Sequence, residues 1–156
     1  MVSETQAVHL AQMMQNRIHN PQYELALPFV KIRKSTLKKL KMNDVLLLEM
    51  NVLEFILLEE DVICADLTLQ RVEGSDVIVI TCLHNKTIVS NESHKYETIK
   101  LSFGKYQMKS LEVGKSLAFT LFDLEKIMLI SDDKKIAEGS LVNVDNELAI
   151  KINTLS

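Results

Sequence analysis

The chain contains no tryptophan, and aromatic residues make up only 5% of it. Surfaces that bind single-stranded nucleic acid combine positive charge with aromatic platforms on which bases stack. The one basic cluster, Lys31, Arg33, Lys34, Lys38, Lys39 and Lys41, has only Phe29 beside it, and the overall charge is −3. A small nucleic-acid-binding β-barrel using residues 31–41 is therefore the second reading of this sequence, and nucleic acid is not the expected partner.

Cysteine is equally sparse. Cys64 and Cys82 lie 18 residues apart in the apolar runs VICADL and VIVITCL, in no CxxC pairing. Both read as buried free thiols, since cysteine packs as a small hydrophobe, and this usage fits a reducing compartment. Long apolar runs are missing too. No window approaches the ~20 apolar residues of a membrane span, and MVSETQAVHLAQMM has neither the basic nor the apolar region of a signal peptide. The expectation is a cytoplasmic protein without membrane insertion, whose sequons at Asn85 and Asn91 carry no glycan.

Catalytic constellations are also absent from the pattern. Gly114-Lys115-Ser116 looks like the end of a phosphate loop, but that loop needs a glycine where Lys109 stands. Gly114 reads as a turn residue instead. His9, His19, His84 and His94 have no helical i, i+4 pairing, and metal sites need convergent ligands. No Ser/His/Asp arrangement stands in a recognisable context. The expectation is a non-enzyme with no catalytic residue, no cofactor and no metal.

What the sequence does have is a repeat, the feature to settle first because it decides how a fold is parsed. LEVGKSLAF at 111–119 is echoed by LKMNDVLLL at 40–48, an offset of 111 − 40 = 71 residues. The same offset sets Lys31–Arg33 and Leu37 against Ser102–Gly104 and Met108. It sets Leu53, Glu54, Ile56 and Leu58 against Leu124, Glu125, Ile127 and Leu129. Each half, about 70 residues, lies where a single core is marginal without a staple or a partner. Two small β-units burying their apolar faces against each other are expected.

Ser3 and Gln6 have capping-box spacing, and Ala7, Leu10, Ala11, Met14 and Ile18 follow on one helical face. A helix over 1–21 ends at Asn20-Pro21, because the residue before proline is pushed out of the α region. From Tyr23 the chain is mostly β. Strands are expected at 45–50, 53–58, 62–70 and 76–83, then at 98–103, 116–122, 126–131, 141–144 and 147–152. Turns are expected at Gly104-Lys105, Asp132-Asp133, Gly139 and Asp145-Asn146. Residues 36–44 and 106–114 each read as a helical turn or loop before a strand, and the polar stretch 84–95 reads as the linker between halves. Charge is patterned as well: against the basic run, residues 49–76 carry Glu49, Glu54, Glu59, Glu60, Asp61, Asp66, Glu73 and Asp76 with Arg71 alone. Such a surface can orient a partner.

Over residues 108–155 the chain resembles the SpoA (surface presentation of antigens) family, which includes flagellar motor switch proteins FliN and FliM and ring proteins of type III secretion injectisomes. The residues that carry the resemblance are Leu111, Gly114, Leu117 and Ala118, then Ile136, Ala137, Gly139, Leu141, Val142 and Val144, and finally Ile150, Lys151 and Ile152. Ala149 stands where the family often has glycine before the last strand. The first copy is more divergent, with Asn43-Asp44 for Gly-Asp and no Ala-x-Gly around Ala65 to Leu67.

The resemblance implies a mainly β fold: an N-terminal helix (1–21), a divergent SpoA-like module (22–83), a linker (84–95) and a SpoA module (96–156), the modules pairing with intertwined strands. It implies a non-catalytic adaptor of the cytoplasmic ring or sorting platform of an injectisome or flagellar export apparatus, similar to the C-terminal half of ring proteins of the SctQ/SpaO type. The implied partners are a stator-like protein of the FliH/SctL type, other ring subunits and further SpoA modules. By position, the stator contact falls on Leu117, Ala118 and Phe119. Strand alternation places Leu117 and Phe119 toward a core and makes Ala118 the better surface candidate.

Overall fold

The computed structural model describes residues 21–88, 94–118 and 125–156. Residues 1–20 of the expected helix, residues 89–93 of the expected linker, and Phe119 lie outside the described residues. The first half contributes β1 (Gln22–Arg33), the short helix α1 (Lys34–Lys38), β2 (Val45–Met50), β3 (Glu54–Glu59), β4 (Val62–Val72) and β5 (Ser75–Thr87). The second contributes β6 (Tyr96–Gln107), β7 (Ser116–Ala118), β8 (Ile127–Ser131), β9 (Lys134–Val144) and β10 (Glu147–Leu155).

All ten described strands form one antiparallel sheet in the order β2-β10-β9-β8-β6-β1-β3-β4-β5-β7. Read from its centre, the order is the same in both directions: β1 and β6 pair in the middle, and each is followed by the next three strands of its own half but one. The missing strand of each half is at the far edge of the other. β2 pairs with β10, with Leu46 opposite Ile150, and β7 pairs with β5, with Leu117 opposite Ile78. The two halves have exchanged one strand each.

The exchange repeats down to single hydrogen bonds. Asn43 (φ 72°) and Gly114 (φ 91°) both adopt the left-handed conformation. The Asn43 N–H donates to the Ile152 carbonyl and the Gly114 N–H to the Ile80 carbonyl, each at 2.8 Å. In return the Ile152 N–H donates to Asp44 at 2.8 Å and the Ile80 N–H to Lys115 at 2.9 Å. The offset of 71 residues therefore holds for the exchanged strands.

Elsewhere it does not. The hairpin β3–β4 matches β8–β9 at 129 − 57 = 72: Leu57 pairs with Ala65 and Leu129 with Ala137, and each ladder slips by one residue immediately afterwards. Leu57, not Leu58, is the counterpart of Leu129, so one residue is inserted between the exchanged strand and the hairpin of the second half. The turns at Glu73-Gly74 and Asp145-Asn146 keep the same spacing, with positive φ at all four residues. At the outer ends of β1 and β6 the Lys34–Lys95 and Met108–Pro21 backbone bonds are related by 108 − 34 = 74.

One core serves both halves. Leu25, Leu27, Leu57, Leu67, Ile78 and Ile80 join Ile99, Leu101, Ile127, Leu129, Ile150 and Ile152 in a single buried cluster. Burying each such side chain contributes roughly 1.5–3 kcal/mol. The other face of the centre holds a smaller cluster of Ala26, Ile56 and Leu58, flanked by Phe29, Ile63 and Ile88. Beside it Ser102 donates to Glu24 Oε2 at 2.8 Å, and the Lys100 ammonium lies 2.6 Å from Glu24 Oε1.

Several sequence expectations are corrected. Gly104 and Gly139 are not turns: Gly104 lies within β6 and Gly139 within β9. Gly104 (φ 118°) sits where the β1–β6 ladder shifts register between Leu25 and Ala26. The second shift, between Leu27 and Val30, contains Pro28, which has no N–H to give the ladder. Residues 84–87 are not linker but the end of β5, with Lys86 opposite Ile63 and Thr87 opposite Val62. The loop expected within 106–114 does lie before β7, and the helical turn expected within 36–44 begins two residues earlier, as α1 at 34–38. Cys82 is exposed and Cys64 half-buried, so neither is a fully buried thiol.

Two outcomes follow. Cleaving the full chain between residues 88 and 94 and separating the fragments should leave each unable to fold as a cooperative monomer, since β2 and β7 then lack their partner strands; remixing should restore a 1:1 complex by analytical ultracentrifugation and circular dichroism. A cooperative monomeric fragment would refute the exchange. Second, a Cβ at Gly139 would come 2.5 Å from Ile150 Cγ2 and 2.6 Å from the Lys151 carbonyl oxygen. Gly139→Ala should cost about 1–3 kcal/mol of overpacking strain, read as a lowered urea midpoint at unchanged slope.

Candidate partner-binding edge

β7 follows a turn and pairs with β5 alone among the described strands. Gly114 turns the chain, and Leu117 is held by the strand pairing and by packing, half-buried, against the main core. Ser116 is exposed on the opposite face, in register with Val79. The Ala118 backbone pairs with Val77. Leu117 and Ala118 are thus brought to an edge of the sheet, and the edge itself presents backbone groups that no described strand occupies. Unpaired edges of this kind are where another chain's strand can add.

The face of this edge turned away from the core is mostly apolar, with Gln70 and Thr81 at its margin. Val72, Val77, Val79 and Val113 line a shallow groove of about 650 Å³ together with Gly114 and Ser116. Val113 and Val72 are 62% and 49% exposed. At the other edge of the sheet, Leu47 occupies the position matching Ala118, and it is 57% exposed, with Val45 and Met42 exposed near it. Sequence reasoning assigned no role to Leu47 or the valines. The signal was available in the alternation of VLLLEM and in the 71-residue offset between Leu47 and Ala118.

The basic residues Lys31, Arg33, Lys34, Lys38, Lys39 and Lys41 are all exposed. The Arg33 guanidinium lies 5.9 Å from the centre of the Tyr96 ring. The cavity that Lys34 lines also holds Glu60, Asp61, Glu97, Asp132 and Asp133.

His84, expected in a polar linker, projects from β5 with Nε2 2.6 Å from Asp66 Oδ2. Cys64 packs beside Tyr23 and Glu59, where burial and the Glu59 charge push its thiol pKa up while a backbone hydrogen bond opposes them. Burial, the Glu59 charge and Cys64 push the Tyr23 phenol pKa up.

No protein-family model matches the chain, and no curated protein matches it in sequence. Among the described residues no helix is long and apolar enough to cross a membrane.

The two thiols should differ in reactivity, because the thiolate is the nucleophile and Cys64 is both covered and held protonated. In metal-free buffer at neutral pH, a disulfide reagent such as Ellman's should titrate one cysteine quickly and the other slowly. Cys82→Ser should abolish the fast phase. Equal rates would contradict the burial of Cys64.

Proposed function

We propose that this chain is a non-catalytic structural adaptor: a tandem pair of SpoA-like modules of the cytoplasmic ring or sorting platform of a type III secretion injectisome or flagellar export apparatus. The observation that carries the reading is the exchange of β2 and β7 between halves of matching strand order. Intertwined tandem modules are what the resemblance implies. Gly114 and Asn43, the divergent pair of its turn motif, take up matching left-handed conformations. Ala137-Glu138-Gly139 and Ala65-Asp66-Leu67, in which leucine replaces the glycine of the motif, hold matching places in the two hairpins.

In this reading the modules bind an extended or helical segment of a stator-like protein of the FliH/SctL type. The groove of Val72, Val77, Val79 and Val113 beside β7 is its seat. Leu117 supports the groove from beneath through the core instead of touching the partner. Self-association with other ring subunits uses the second apolar edge around Leu47 and Val45. The protein works at the cytoplasmic face of the apparatus, without entering the bilayer and without nucleic acid.

The test is peptide binding by the full chain, measured by fluorescence anisotropy with the N-terminal segment of the stator protein from the same cell. Val79→Asp and Val77→Asp should each stay folded by circular dichroism and weaken binding on the order of 30-fold, the scale of an interface hot spot. Leu47→Asp should leave that affinity unchanged. Leu117→Asp should instead unfold the protein, since it forces a carboxylate against the core. Folded Val77→Asp and Val79→Asp proteins that bind normally would remove the groove from the reading. Failure of the wild-type chain to capture any export-apparatus component from that cell would remove the function.

A further inference from the structure

On the face of the sheet away from the main core, three side chains of different chemistry converge. Asp66 on β4 and Cys82 on β5 are directly opposite each other in the ladder. His84 follows two residues after Cys82 and places Nε2 2.6 Å from Asp66 Oδ2. One ligand atom from each of the three lies within 4.8 Å of the other two. Bond lengths of about 2.0–2.3 Å around a tetrahedral zinc ion set its ligands roughly 3.3–3.8 Å apart. The trio therefore needs only rotamer adjustment, on exposed or half-buried side chains, to close on one ion.

The convergence has a structural cause. The β4–β5 ladder slips between Asp66 and Leu67, leaving Thr81 as the extra residue on β5. Ile80, before the slip, is fully buried in the core; Cys82, which strict alternation would put on the same face as Ile80, is exposed and faces Asp66. A bulge re-aims the side chains that follow it, and here it turns Cys82 and His84 outward together. The second half has the same bulge, between Ile152 and Thr154 opposite Gly139 and Glu138. The positions matching Asp66, Cys82 and His84 there are Glu138, Thr154 and Ser156, 72 residues on, with neither sulfur nor imidazole. The bulge belongs to the architecture. The three ligands belong to one half only.

We propose that Asp66, Cys82 and His84 form a site for a single divalent transition-metal ion, zinc by its ligand chemistry, with the fourth position open to the outside. A thiolate, an imidazole and a carboxylate suit zinc and its spectroscopic substitute cobalt; magnesium and calcium take oxygen ligands. Binding replaces the His84–Asp66 hydrogen bond and releases the Cys82 thiol proton to solvent, so affinity rises with pH. All three ligands lie on one pair of adjacent strands, so the ion reinforces the β4–β5 pairing beyond the bulge and offers its open position to a donor from solvent or from a partner.

Cobalt titration of the reduced full chain tests this. One equivalent should produce the visible bands of tetrahedral cobalt and a near-ultraviolet thiolate-to-cobalt band, and zinc should displace it. Cys82→Ser should abolish the thiolate band. Because loss of a ligand's supporting contact alone costs roughly 10–100-fold in affinity, His84→Ala and Asp66→Asn should each weaken binding on the order of 100-fold. Cys64→Ser should bind as the wild type does, and zinc should protect Cys82 from alkylation. Circular dichroism checks that each variant is folded, the expected result at positions that are exposed or half-buried. No saturable 1:1 binding, a thiolate band that survives in Cys82→Ser, or unchanged affinity in both His84→Ala and Asp66→Asn would each overturn the site.

Discussion

Everything in this molecule depends on the antiparallel pairing of β1 with β6. Alone, each half supplies a four-strand meander whose inner face is apolar and whose first strand has an open side. Joining the open sides lets Leu25 and Leu27 pack with Ile99 and Leu101 into one core, which neither half is large enough to provide for itself. The pairing also positions the exchanged strands, since β2 and β7 reach the opposite edges only because the two halves are related about that central pair. The ladder tolerates two register shifts. The Glu24–Lys100 ion pair with Ser102 sits on its outer face, and no buried side-chain donor or acceptor is left unpaired among the described residues.

Function and architecture separate where the twofold relation breaks. The turns, bulges and edge hydrogen bonds recur in both halves and belong to the framework. The surface does not recur: the basic run 31–41, the valine groove beside β7, the exposed Leu47 and the Asp66–Cys82–His84 trio each occur once. A duplicated framework constrains the backbone of both copies while leaving outward side chains free to diverge. The unshared residues are accordingly the ones to which chemistry is assigned.

The sequence displayed the strands clearly because their apolar runs are short, β-branched and bounded by Asp, Asn or Gly. It displayed the 71-residue repeat for the exchanged strands, while the single insertion that moves the hairpins to 72 was invisible, since Ile56 and Leu58 match Ile127 and Leu129 in type as well as Leu57 matches Leu129. Gly139 read as a turn because glycine does punctuate turns; the crowding by Ile150 and Lys151 that demands it inside β9 is a tertiary fact. Cys82 read as buried because it lies in an apolar run and cysteine packs as a small hydrophobe, and the bulge at Thr81 that turns it outward has no signature in composition. His84 was lost with it, in a polar stretch that looks like linker until Val62 and Ile63 are seen pairing with it. The edge containing Leu117 and Ala118 came from resemblance, while the groove beside it came only from the fold.

The exchanged strands also impose an order of events during synthesis. β7 emerges from the ribosome when its partner β5 already exists, so it can pair at once. β2 emerges early and must wait for β10, about 100 residues later, at a synthesis rate of roughly 5–20 residues per second. For those seconds Leu46 and Leu48 have no strand beside them, and the first half carries an apolar ribbon that any neighbouring nascent chain could capture. Two ribosomes on one message would hold such ribbons close together. The topology thereby leaves one strand of the first half without its partner until the last strand of the chain has been made.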